Sequence, residues 1–185
     1  MTIFYVAFSA LAVAVCANFV FTARLVRAVG KRPEWPPADE TTFAVGREIP
    51  PFETMSVEGK PLTTTGMDEF VVGFFMIGCP PCQAAVAEYA AVADHLAGTG
   101  LPAIAVIRYE APDLDNPLDR DELATETEQL NRSAVVVHEE GDGVVITTFG
   151  VTAYPAFFRV RRDGGRHTVV GEVPSPRHLH RLAPA

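Results

Sequence analysis

Cys79 and Cys82 enclose Pro80 and Pro81, and this quartet is the part of the sequence whose residue types and spacing point most directly to chemistry. A thiol exchanges with a disulfide only as its thiolate, so its ordinary pKa of about 8.5 must fall for reaction near neutral pH. A helix N-terminus lowers it, through unpaired N–H groups and the positive end of the helix dipole. Pro80 and Pro81 fix φ and carry no N–H, which suits a helix's first turn, where those donors have no intrahelical acceptor. The spacing therefore predicts Cys79 at the helix start as nucleophile. Cys82, one turn on, resolves a mixed disulfide by attacking the Cys79 sulfur.

Other uses of the pair fit less well. A structural zinc needs four ligands, yet no second pair of this kind exists. His95, His138, His167, His178 and His180 show no spacing that completes a site, so neither a metal nor a cofactor is expected. The third cysteine, Cys16, lies far away in an apolar stretch, which excludes a stapling disulfide framework. The net charge of −8, with acid concentrated between Glu110 and Glu128, excludes a nucleic-acid partner. The acidic stretch from Asp113 to Glu128 itself reads as a solvated helix face.

Regular elements must hold the pair in place. Phe70 to Ile77 is a continuous apolar run ending at Gly78, the pattern of a strand buried on both faces. From Pro80 to Leu96 the period changes: Val86, Tyr89, Ala90, Ala93 and Leu96 recur at helical spacing, and Gly98 and Gly100 end the helix. Residues 102–109 form a second buried strand, so a parallel βαβ unit is the economical reading. A surface helix is predicted from Asp119 to Asn131, then a strand from Ala134 to Val137 and a turn or short helix. A hairpin over Ala156–Arg161 and Thr168–Gly171 turns at Asp163-Gly164-Gly165. Pro176 opens a brief final helix to Leu182. Ahead of all these, Ile49 to Met55 and the turn Glu58-Gly59-Lys60 read as an edge strand in a small hairpin.

Residues 3–21 carry no charge, and at 1.5 Å per residue they reach about 28 Å, close to the hydrocarbon thickness of a bilayer. They read as a single membrane-spanning helix. The competing reading, a cleaved signal peptide, lacks a basic n-region and has too long an apolar run. A lipoprotein site at Cys16 is disfavoured by Val15 before it. The expected organisation is an anchor over 1–23, a basic juxtamembrane segment and Pro-rich linker over 24–43, and one α/β domain over 44–185. Arg24, Arg27, Lys31 and Arg32 follow the span, which by the positive-inside rule would leave the domain in the cytoplasm.

The order strand, Cys79-Pro80-Pro81-Cys82, helix, further β and α elements, then Phe149-Gly150-Val151-Thr152-Ala153-Tyr154-Pro155-Ala156-Phe157-Phe158 resembles the thioredoxin superfamily. The apolar N-terminus, Ile49-Pro50-Pro51-Phe52, Val57-Glu58-Gly59-Lys60 and the inserted acidic segment are similar to TlpA-like membrane-anchored members, including accessory proteins of the methylamine dehydrogenase type. The resemblance covers roughly residues 44–173. It implies a thioredoxin-like fold with a central mixed sheet flanked by helices. It further implies a cis Tyr154–Pro155 bond against the cysteines, with the Tyr154 backbone pairing with an extended substrate. It implies a thiol–disulfide oxidoreductase acting on a protein disulfide or dithiol, a membrane electron donor, and a domain outside the cytoplasmic membrane, against the charge rule. The alternative within the same fold is a non-catalytic binding or chaperone module.

Three positions depart from the family pattern. An acid is usual six residues before the first cysteine, where this chain has Gly73. A Trp is usual just before that cysteine, where Gly78 stands, and a helix proline five residues after the second, where Ala87 stands. The missing acid normally moves a proton for the buried cysteine, and Glu88 is the substitute that the sequence offers.

Overall fold

The computed structural model describes residues 45–182 together with Val15 and Asn18. The predicted span over residues 3–21 otherwise lies outside the described residues. Among the described residues no helix is long and apolar enough to cross a membrane. The chain divides into two units, 1–40 and 41–185, and the second carries the architecture that follows.

β4 (Glu69–Met76) is the strand on which the rest is built. Strand side chains alternate between faces, and every position here is apolar or glycine after Glu69. Phe70, Val72 and Phe74 enter one core while Val71 and Phe75 enter the other. Such a strand can only be central. It pairs in parallel with β5 (Ala103–Tyr109), which pairs in parallel with β6 (Val135–Glu140). On its other side β4 pairs antiparallel with β7 (Ala156–Asp163), followed by β8 (Arg166–Val173) and the two-residue β1 (Glu48–Ile49). The sheet is therefore mixed and six-stranded, in the order β1-β8-β7-β4-β5-β6.

α1 (Pro80–Ala97) connects β4 to β5, and α2 (Pro117–Leu130) connects β5 to β6. The two crossovers step the same way across the sheet, so a common right-handed sense puts both helices on one face. Val86, Tyr89, Ala93 and Leu96 of α1 and Leu130 of α2 accordingly share a core with Val71, Phe75 and Phe157. The opposite face is closed by the short α3 (Val144–Phe149) and by Phe52 and Leu62. A 3₁₀ turn over Ala111–Asp115 leads into α2, and another over Pro176–Leu182 lies at the end of the described chain.

The expected N-terminal hairpin is divided. Ile49 joins the main sheet through β1, the two prolines Pro50 and Pro51 end that pairing, and β2 (Glu53–Met55) pairs with β3 (Pro61–Thr63) as a separate ribbon. Proline has no N–H for a ladder, so the break falls where the sequence removes two donors in succession. β6 also runs to Glu140, three residues beyond the apolar stretch Ala134–Val137, because Ile107, Arg108 and Tyr109 of β5 supply partners for His138, Glu139 and Glu140.

Candidate active site

At the carboxyl end of β4 the chain turns through Gly78, whose φ of +73° lies in the region that side chains rarely enter. This accounts for the glycine at position 78. Cys79 then serves as the N-cap of α1: its sulfur accepts from the Cys82 N–H at 3.3 Å, and its carbonyl accepts from the N–H groups of Cys82 and Gln83. Pro80 and Pro81 occupy the first turn, where the missing donors leave nothing unsatisfied. Cys79 and Cys82 are joined in a disulfide with Cα atoms 5.2 Å apart. Cys79 retains 7% exposure while Cys82 has none, so an attacking group reaches Cys79 first.

The Tyr154–Pro155 bond is cis. Ala156 pairs with Phe74 in the β4–β7 ladder, so the two preceding residues fall at the same sheet end as Gly78 and Cys79. Tyr154 packs against the core that contains both cysteines. Its hydroxyl is buried without a hydrogen-bond partner, and burial pushes the phenol up to about 12. Arg108 opposes that rise, whereas Asp142, Glu139 and Glu110 add to it. Arg108 is itself held by Glu110 and by the Gly141 carbonyl, with Asp142 at 3.6 Å.

A carboxylate caps the short helix that precedes the cis bond. Glu139, 6% exposed, accepts from the N–H groups of Val145 and Ile146 at 2.7 and 2.9 Å, capping α3 with its side chain. A Cβ on Gly143 would lie 2.5 Å from the Glu139 side chain, so only glycine lets the helix start so close.

On Gly73 a Cβ would stand 2.7 Å from the Tyr89 ring, so that ring fills the space a β4 side chain would need. Tyr89 donates its hydroxyl to the Ile104 carbonyl at 2.6 Å, and burial raises its pKa. Glu88 faces elsewhere: its two oxygens accept from Arg177 Nε and Ser175 Oγ at the C-terminal 3₁₀ turn. α2, in contrast, brings two carboxylates to this face of the molecule. Glu122 accepts the N–H of Gly78 at 2.9 Å, directly before Cys79. Glu126, one turn on, is 5% exposed, and neither of its oxygens has a hydrogen-bond partner. Burial and then the charge of Glu122 push its pKa up to about 7.

Glu126 is thus an exception to the solvated acidic face predicted for Asp113–Glu128. Sequence reasoning also missed Glu122, Glu139 and Arg108. The one signal available was spacing: Leu123, Glu126 and Leu130 share a helical stripe, which puts the acid on the apolar side.

No protein-family model matches the chain, and no curated relative matches it. Solved structures do. A thiol:disulfide interchange protein of the thioredoxin family from Chlorobium tepidum superposes with a TM-score of 0.55 at 20% identity, over 74% of this chain and 93% of that one. The thioredoxin domain of a thiol-disulfide oxidoreductase from Bacteroides vulgatus gives 0.57 at 15% identity, over 76% and 95%. A secreted disulfide oxidoreductase of Mycobacterium tuberculosis gives 0.53 at 20% identity, over 71% and 92%. The fold is thioredoxin-like, with the cysteine pair at the junction of a central strand and its helix.

Proposed function

We propose that this protein is a membrane-tethered thiol–disulfide oxidoreductase that exchanges disulfides with a protein partner. The observation that carries the reading is the asymmetry of the pair. Cys79 is accessible at a helix N-cap, and Cys82 is wholly buried one turn later and already bonded to it. In the reduced protein the Cys79 thiolate, favoured by the helix end, attacks a partner disulfide and Cys82 resolves the adduct. The backbone at Tyr154 and Pro155, at the same sheet end, pairs with an extended segment of the partner. The same steps run in reverse with a dithiol, and direction follows the potential of the partner and of a membrane dithiol donor.

The apolar stretch 3–21 supports a single-pass anchor, and the likeness to a secreted oxidoreductase supports an extracytoplasmic domain. A membrane-impermeant maleimide applied to intact, reduced cells labels Cys79 on this reading, and protection of Cys79 until lysis overturns the outward orientation. For activity, the full-length protein in detergent reduces insulin or oxidises a model dithiol, and Cys79→Ser abolishes both. Absence of turnover in the unsubstituted protein contradicts the enzymatic reading and favours a binding module.

A further inference from the structure

We propose that Glu126 takes up and returns the proton of Cys82 during exchange, in place of the β4 acid whose space Tyr89 fills. The proposal rests on the exchange reading above and assigns a residue to its second step.

Two hydrogen bonds fix how α2 lies along α1. At one end Glu122 accepts from Gly78, a sequence separation of 44, and just past the other end Ser133 Oγ donates to the Ala90 carbonyl, a separation of 43. The helices therefore advance in step, and Glu126 falls level with Cys82 and Gln83. Gln83 points to solvent, whereas Cys82 is fully buried. Glu126 is 5% exposed, and its neighbours on the same helical stripe, Leu123 and Leu130, pack in the core cluster that contains Cys82.

An unpartnered carboxyl in such a place is costly, since a buried polar group without a hydrogen bond loses its hydration for nothing. Among the other titratable groups nearby, the Tyr154 hydroxyl is also unpartnered, but burial pushes it up to about 12 and keeps it protonated. Glu122, whose charge faces Glu126, accepts from Gly78, and the rest are engaged. Tyr89 is held by Ile104, His138 by Thr127, Glu88 by Arg177, Arg108 by Glu110 and Glu139 by the α3 amides. Glu126 is free to exchange a proton, and the burial that raises its pKa to about 7 lets it do so near neutrality.

The step balances as follows. After Cys79 has captured a partner sulfur and released one partner thiolate, the Cys82 thiol passes its proton to the Glu126 carboxylate. The Cys82 sulfur attacks Cys79 Sγ, the Cys79–Cys82 bond forms and the bond to the partner breaks. The partner leaves as its second thiolate. Two electrons have moved to the partner, and Glu126 returns the proton to solvent.

The test is single-turnover oxidation of the reduced full-length protein by a small model disulfide between about pH 5.5 and 8.5. Resolution by Cys82 should rise with pH to a plateau, with a midpoint near 7. Glu126→Gln should lose that midpoint and resolve at least about tenfold more slowly at pH 7, while Glu126→Asp keeps the midpoint. Capture by Cys79, read separately in a Cys82→Ser background, is the reference and should change by less than about twofold with Glu126→Gln. An unchanged resolution rate and pH profile in Glu126→Gln overturns the proposal. Failure of capture itself, with Glu126 intact, overturns the exchange reading and the proposal with it.

Discussion

Two buried glutamates, one on the edge strand β6 and one on α2, are treated in opposite ways. Glu139, at 6% exposure, spends both oxygens on the first amides of α3 and so anchors the segment that leads to the cis Tyr154–Pro155 bond. Glu126, at 5% exposure, spends neither, and lies on the helix that runs beside the cysteine pair. Equal burial with unequal satisfaction separates a group that holds structure from one that is held in a strained electrostatic state by the structure around it. On the proposal above, the unsatisfied acid is the one that moves a proton and the satisfied one holds structure.

This contrast can be broken in order of expected effect. Glu139→Ala should destabilise most, by about 3–4 kcal/mol in urea unfolding, because it orphans two buried donors that were bonded to a carboxylate. A loss below about 1 kcal/mol would remove the structural half of the comparison.

Glu126→Gln should act the other way and only in one pH range. The folded-state pKa of Glu126 is raised, so between about 4.5 and about 7 the folded protein holds a proton that the unfolded chain has released. Stability then falls as pH rises through that window, and the penalty is complete above it. Between pH 4.5 and pH 8 the unsubstituted protein should lose on the order of 3 kcal/mol more than Glu126→Gln. Parallel stability curves for the two proteins would show that the carboxyl carries no such penalty.

Gly73→Ala sharpens the same point from β4. Its methyl meets the Tyr89 ring at 2.7 Å, and overpacking of this kind should cost about 1–3 kcal/mol. A neutral result would mean that Tyr89 yields easily and that β4 could still host a side chain there.

The central unit of the fold is legible in the sequence because its signals are local. Phe70–Ile77 is apolar without alternation, and Cys79 to Leu96 changes period at once, so strand, turn and helix are each readable within a few residues. Pro155 by itself reads only as a residue that starts an apolar strand, and its cis bond beside the cysteines is an implication of the family resemblance. The two glutamates are not local features. Glu126 sits in a run of acids that looks solvated until α2 docks on α1, and Glu139 lies past the predicted strand Ala134–Val137, in a polar stretch without period, until α3 folds back over it. Nor does the sequence say that Tyr89 occupies the space above Gly73, sixteen residues away in the chain. Each of these depends on contacts between elements, which hydrophobic period alone does not encode.

The most direct test of the exchange chemistry is a trapping experiment on the reduced full-length protein. Cys82→Ser, exposed to a disulfide-bonded protein partner, should accumulate a mixed disulfide through Cys79 that a reductant releases, and Cys79→Ser should accumulate none through Cys82. Equal trapping by the two variants, or none by either, would contradict a nucleophile at Cys79, the more accessible of the pair, resolved by a fully buried Cys82.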